Sequence, residues 1–176
     1  MSRNIGRKLS AISRELAFKI IFQLEFNNID IKDVDFDYEI ENIMDTLSGK
    51  NDIDSVDDAV SAMSEFMERV ETGKTKEKLQ LKPENIEYVK NAVNGTMNNL
   101  SDIDDIISDY LKQGWSIKRL AAVDRNVLRL AIYELKFEDN DLSQRTIIND
   151  AVNIAKKYGT DNSHRFVNGV LSAIIK

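Results

Sequence analysis

The chain has 176 residues, 42% hydrophobic and 31% charged, with one proline, seven glycines and no cysteine. That composition suits a soluble helical domain, and it excludes a disulfide framework, a thiolate nucleophile and a cysteine-based metal site. The formal net charge of −6 opposes nucleic acid only if it is evenly spread, and it is not.

Residues 1–24 sum to +4, residues 25–72 to −12, residues 73–113 to −1, residues 114–137 to +3, and the remainder to zero. An acidic protein with this segregation can still present a basic face to a polyanion. No run approaches the roughly 20 apolar residues needed to span a bilayer. The N-terminus is basic but lacks an apolar signal core, which makes a cytoplasmic location the default expectation.

Residues 1–9 read as a flexible basic arm carrying Arg3, Arg7 and Lys8. Ser10 to Asn28 reads as a helix apolar on two sides: Ile12, Leu16, Ile20 and Leu24 mark one face, and Phe18, Phe22 and Phe26 mark another. Either this helix lies between two layers, or its aromatic face serves a ligand or a second copy of the chain.

Asp37 to Leu47 fits a helix through Ile40, Ile43, Met44 and Leu47, and Gly49 begins a turn. Ser55 to Glu71 fits another through Val56, Ala59, Val60, Met63, Phe66, Met67 and Val70. The polar, basic stretch Gly73 to Lys82 reads as the main linker, with RNA contact as the competing reading, dividing an N-terminal helical subdomain (about 1–82) from a C-terminal one (about 83–176) within a single 1–176 unit.

Pro83 suits the first turn of the next helix, with Glu84 and Glu87 near its positive end. Ile86, Val89, Val93, Met97, Leu100, Ile103, Ile107 and Leu111 continue one long helix to about Lys112, bent near Ser101 and stopped by Gly114. Trp115 is expected as a core anchor at the following corner, with a base-stacking platform as the competing reading. Asp124 to Phe137 forms a further helix through Val127, Leu128, Ala131 and Leu135, and Asn140 and Asp141 form a loop.

The run Ile148, Ala151, Val152, Ala155 and Tyr158 is closed by Gly159, expected in a left-handed conformation. Asn162 or Ser163 caps the last helix, whose buried stripe is Phe166 or Val167, Val170, Leu171 and Ile174. The fold expected is all-α, with about seven helices.

Catalytic chemistry finds little support. The single histidine, His164, has no cysteine partner and no zinc-like constellation, and neither a P-loop nor a strand followed by GxGxxG is present. Neighbouring acids such as Asp104 and Asp105 point in different directions on a helix. Binding is better served: cations attract phosphate, exposed rings stack on unpaired bases, and the free N–H groups before His164 and Arg165 favour an anion. The competing view of that last stretch is an ordinary interhelical turn.

The segments WSIKRLAAVDRNVLRLAIYEL (115–135), INDAVNIAKKYG (148–159) and NSHRFVNGVL (162–171) resemble, in order and spacing, three motifs of the NusB family of transcription antitermination factors. SRELAFKIIFQLEF (13–26) resembles the family's first helix, while residues 28–110 match mainly in helical pattern.

The resemblance implies a NusB-like fold of two small helical bundles and no catalysed reaction. It implies binding to the boxA element of ribosomal RNA leader transcripts together with NusE, the ribosomal protein that doubles as an elongation factor. RNA polymerase and other Nus factors would join indirectly, and premature termination would be suppressed. An alternative is a module assisting ribosomal RNA modification; another is a helical scaffold that binds only protein.

By position, the resemblance assigns Arg3, Arg7, Lys8, Arg14 and Arg165 to phosphates, Phe22 and Phe166 to base or sugar packing, and Asn162 and Ser163 to hydrogen bonding. Asp124 would accept from a base edge, or act as a helix-start carboxylate. Arg129, Tyr133, Glu134, Asn149, Asn168 and Gly169 would hold helices together. The chain departs from the family in two places: Ser10 to Ser13 separates Lys8 from Arg14, and the region between the first helix and Trp115 is longer. The acidic segment 25–72 would meet a basic partner or aid solubility.

Overall fold

A computed structural model of the chain describes residues 2–47, 83–138 and 142–176, with side chains described from residue 11 onward and not for residues 44–47. Seven α-helices occur among them: α1 (Ser2–Asn27), α2 (Phe36–Leu47), α3 (Pro83–Asn98), α4 (Leu100–Asp109), α5 (Ala122–Lys136), α6 (Gln144–Tyr158) and α7 (Ser163–Ile174). Short 3₁₀ turns stand at Ile31–Asp33 and Ile117–Arg119. No strand occurs among the described residues. The expected helix over 55–71, the linker 73–82, the turn at Gly49 and the loop at 140–141 lie outside them.

Helix α5 is the hub. It packs against α1, α3, α4, α6 and α7, while α1 also packs against α2, α3 and α6. One continuous core results, built from Leu16, Ile20 and Ile21 of α1, Val89 and Val93 of α3, Ile103 and Ile107 of α4, Leu128 and Ile132 of α5, Ile147 of α6 and Leu171 of α7. Each such side chain contributes roughly 1.5–3 kcal/mol through burial. The expected subdomain boundary at 82/83 adjoins undescribed residues. Among the described ones, α1 shares its core with the C-terminal helices.

Three local expectations are revised. The backbone of residues 2–9 continues α1 as a helix. That helix ends at Asn28, which has φ 51°, and Ile29 N–H reaches back to the Leu24 carbonyl at 3.0 Å, closing the last turn. The bend between α3 and α4 falls at Asn99, whose amide side chain donates to the Gly95 carbonyl at 2.7 Å and competes with the helical ladder. Trp115 is not a core anchor: it is 57% exposed, because Gly114 (φ 84°) turns the chain outward before Leu120 re-enters the core.

Pro83 starts α3 as expected, and Ser143 caps α6 by accepting from Thr146 N–H.

Candidate nucleic-acid interface

The aromatic stripe of α1 runs from core to solvent. Phe18 is buried, Phe22 is half-buried and Phe26 is 78% exposed. Ring centroids lie 6.0 Å apart for Phe18 and Phe22, and 6.3 Å for Phe22 and Phe26, which are nearly parallel. Tyr158, in the last turn of α6, packs on Phe18 at 5.6 Å. Lys19 and Lys157 place their ammonium groups 5.3 and 5.2 Å from the Tyr158 ring centre.

Glu15 ties this group together by accepting from Lys157 at 2.7 Å and from the Tyr158 hydroxyl. Burial, with Glu15 beside it, pushes the Tyr158 phenol up, so it stays neutral and donating. Burial pulls the Lys19 ammonium down from its usual value, with Lys157 adding to that effect and Glu15 opposing it. Lys157 thus pairs with Glu15, and Lys19 and Lys157 both lie on the Tyr158 ring beside an exposed aromatic edge.

The chain then passes from Tyr158 into α7. Gly159 is extended (φ −95°, ψ −167°), so the expected left-handed conformation is not what selects glycine. Crowding selects it: a Cβ there would overlap Ser163 Oγ and approach the Ala155 carbonyl to 2.6 Å. Ser163 is buried and its Oγ accepts from Thr160 N–H at 2.9 Å, locking the turn. Asn162 and Arg165 are exposed, and Phe166 and His164 are half-buried, with Phe166 resting on the core.

Two expected contacts are corrected, those of Arg14 and Ser163, and Asp124 stays open. Arg14 is 1% exposed; its Nε lies 2.9 and 3.0 Å from the two Glu134 oxygens, and its Nη1 lies 2.6 Å from Asp150. It is a core ion joining α1, α5 and α6 rather than a phosphate ligand. Ser163 spends its hydroxyl inside its own turn. Asp124 is 9% exposed in the first turn of α5, where the helix dipole favours a carboxylate, and its Oδ1 faces no hydrogen-bond partner among the described residues.

Arg3, Arg7 and Lys8 lie on the opening turns of α1, with side chains outside the description. Of the residues expected to join helices, Arg129, Tyr133 and Glu134 do so, whereas Asn149, Asn168 and Gly169 are exposed.

A second polar network stands at the other end of α1. Glu25 accepts from Arg125 at 2.8 Å, Asn126 at 2.6 Å and Arg129 at 3.0 Å, while Arg129 also pairs with both oxygens of Asp104 at 2.7 and 2.8 Å. Burial alone would raise the Glu25 carboxyl, but these donors outweigh it and hold it below the usual range. A lowered folded-state pKa adds stability above the unfolded value of about 4.3 and loses it as pH falls through the folded value. The thermal midpoint is therefore expected to fall as pH drops below about 4.3, and to fall less in Glu25→Gln. Parallel acid profiles for the two proteins would remove Glu25 from this role.

Lys19, Lys157 and Tyr158 escaped sequence reasoning as site residues. Tyr158 reads as part of an apolar stripe, and nothing local says that it meets Phe18, 140 positions earlier.

The NusB family profile matches residues 57–176. Transcription antitermination protein NusB of Thermotoga maritima is 53% identical over 90 residues, a match spanning 51% of this chain and 62% of that protein. The NusB of Clostridium botulinum (strain Loch Maree / Type A3) is 35% identical over 163 residues, covering 93% of this chain and 96% of the relative. Among solved structures, T. maritima NusB superposes with a TM-score of 0.63 at 37% identity, covering 94% of this chain and 89% of that one. A complex of the antitermination factors NusB and NusE with dsRNA gives 0.62 at 25% identity, covering 99% and 97%. With 93% of its length aligned to a NusB protein and the family profile matching its last 120 residues, the chain belongs to the NusB family.

Proposed function

We propose that this protein is a cytoplasmic RNA-binding antitermination factor, a binder and not a catalyst, that takes boxA-type ribosomal leader RNA together with NusE and suppresses premature termination. The carrying observation is the surface in which Phe22 and Phe26 emerge beside Lys19 and Lys157, continuing through Tyr158 toward exposed Asn162 and Arg165. Rings offer stacking, ammonium and guanidinium groups offer phosphate attraction, and the Ser163 turn keeps the α7 end fixed.

Arg3, Arg7 and Lys8 at the start of α1 add cations, Phe166 adds sugar or base packing, and Asn162 adds hydrogen bonding. A relative's complex contains double-stranded RNA; the nearly parallel rings of half-buried Phe22 and exposed Phe26 favour unpaired bases in this chain. RNA polymerase and the other Nus factors enter through the assembled complex.

The test is anisotropy of a labelled single-stranded boxA-like RNA, with and without NusE, across a salt series. Phe22→Ala is expected to weaken binding about five- to 100-fold, and Arg165→Ala to lower the slope of log affinity against log salt by about 0.7. No salt-sensitive binding by the unaltered protein, alone or with NusE, would sink the RNA reading. Association with NusE alone would then favour a protein-binding scaffold.

A further inference from the structure

The connection between α4 and α5 holds chemistry that the surface above does not use. Trp115, the only tryptophan, is 57% exposed, and Tyr110 at the start of the same connection is 45% exposed. Lys112 stands between them and Lys118 and Arg119 stand between Trp115 and α5, all three exposed, and residues 110–121 contain no acid. A large apolar ring left in water gains nothing from the fold, and three cations without an intervening carboxylate repel one another. Both features are relieved by a ligand that is flat and polyanionic.

The connection is also held in shape. Trp115 N–H donates to the Lys112 carbonyl at 2.9 Å, and Gly114 supplies the left-handed turn that points the chain outward. Arg119 and Leu120 close the 3₁₀ turn on the Ser116 and Ile117 carbonyls at 2.9 and 3.1 Å. Arg125 then clamps the turn to the body: Nη1 donates to the carbonyls of Ile117 at 3.3 Å and Leu120 at 2.9 Å, while Nε pairs with Glu25 on α1. Through that one guanidinium the connection is anchored to the last turns of α1, from which Phe26 projects.

We propose that residues 110–119 form a second RNA subsite, in which Trp115 stacks on an unpaired base and Lys112, Lys118 and Arg119 hold the adjoining phosphates, so that a single strand crossing the α1 aromatic ridge continues over this loop. The occupant is single-stranded nucleic acid by charge complementarity: the cations are uninterrupted, and a ring of this size at a fixed corner suits a base face. This inference rests on the RNA-binding reading above and extends it to a separate site. The pre-formed turn means little ordering cost falls on the protein when the strand arrives.

Because the chain has one tryptophan, its fluorescence reports this subsite directly. Titration with single-stranded oligoadenylate is expected to quench the indole saturably, at the same concentrations at which anisotropy of labelled oligoadenylate rises. Trp115→Ala should bind about five- to 100-fold more weakly, and Trp115→Phe should retain most of the affinity. Lys118→Glu with Arg119→Glu should flatten the salt dependence. Since these side chains are exposed, thermal midpoints should stay unchanged, which separates lost binding from lost folding.

If Trp115→Ala binds oligoadenylate normally while Phe22→Ala does not, the subsite is wrong and the RNA-binding function stands. Absence of RNA binding by the unaltered protein overturns both. An indole that responds to NusE but never to RNA assigns the loop to protein docking and overturns the subsite.

Discussion

Replacing Arg14 with methionine is expected to destabilise the protein by about 3–5 kcal/mol in urea unfolding at neutral pH, a large share of the 5–15 kcal/mol typical of a domain. The side chain has no counterpart in solvent to fall back on. Its Nε faces both oxygens of Glu134, itself 1% exposed at the side chain, and its Nη1 faces Asp150 at 12%. Tyr88 donates its hydroxyl to Glu134 at 2.7 Å, and its ring lies 5.8 Å from the guanidinium.

Burial alone would lower the Arg14 pKa, but Glu134, Tyr88 and Asp150 together raise it, so the cation persists at every accessible pH. Removing it strands a buried carboxylate whose pKa burial already pushes up, against the pull of Arg14 and Tyr88. The Glu134 of Arg14→Met then takes up a proton more readily, and the loss should shrink as pH falls. Pairing Arg14→Met with Glu134→Leu should recover much of it, because a neutral pair of similar volume leaves no orphaned charge. A single substitution costing under about 1 kcal/mol would contradict the core-ion assignment and return Arg14 to the surface reading.

The second large effect reverses an ordinary rule. In the middle of an exposed helix, glycine to alanine stabilises by roughly 0.5–1 kcal/mol. At Gly95 in α3 the same change is expected to destabilise by about 1–3 kcal/mol, since a Cβ there overlaps the ring of Tyr133 on α5. Tyr133 is half-buried between its own helix and α3, and the ring cannot shorten; it must swing out or push the helices apart. Combining Gly95→Ala with Tyr133→Ala removes the overlap, so the double variant should be more stable than the sum of the two single effects. Simple additivity would show that the two helices do not meet closely at that point.

Helical register was legible wherever burial alone sets the pattern. The stripes Val89, Val93, Ile103 and Ile107 on α3 and α4, and Val167, Val170, Leu171 and Ile174 on α7, are buried as their spacing implies. The helix start at Pro83 was legible too, because the signals that open a helix act within its first turn. The NusB family itself was legible in the motifs from Trp115 onward, where the profile also matches.

The fate of each polar or aromatic side chain was not legible to the same degree. Arg14 and Arg165 look alike in the sequence, yet one is a core ion and the other is exposed. The difference lies in Glu134 and Asp150, 120 and 136 positions away from Arg14. Gly159 was recognised as a helix end for the wrong reason, since the nearby Ser163 hydroxyl, and not a left-handed φ, leaves no room for a Cβ. Phe18, Phe22 and Phe26 repeat with one spacing but pass from buried to 78% exposed as α1 leaves the core.

The sequence by itself thus determined most of the helical segments among the described residues, the family they belong to and most of the apolar faces, because those properties arise from periodicity, short-range caps and local motifs. Only the tertiary structure decided which arginine binds inward, which aromatic rings reach solvent and that Trp115 stands on an outward turn. Those outcomes depend on the neighbours that packing brings together across the whole chain.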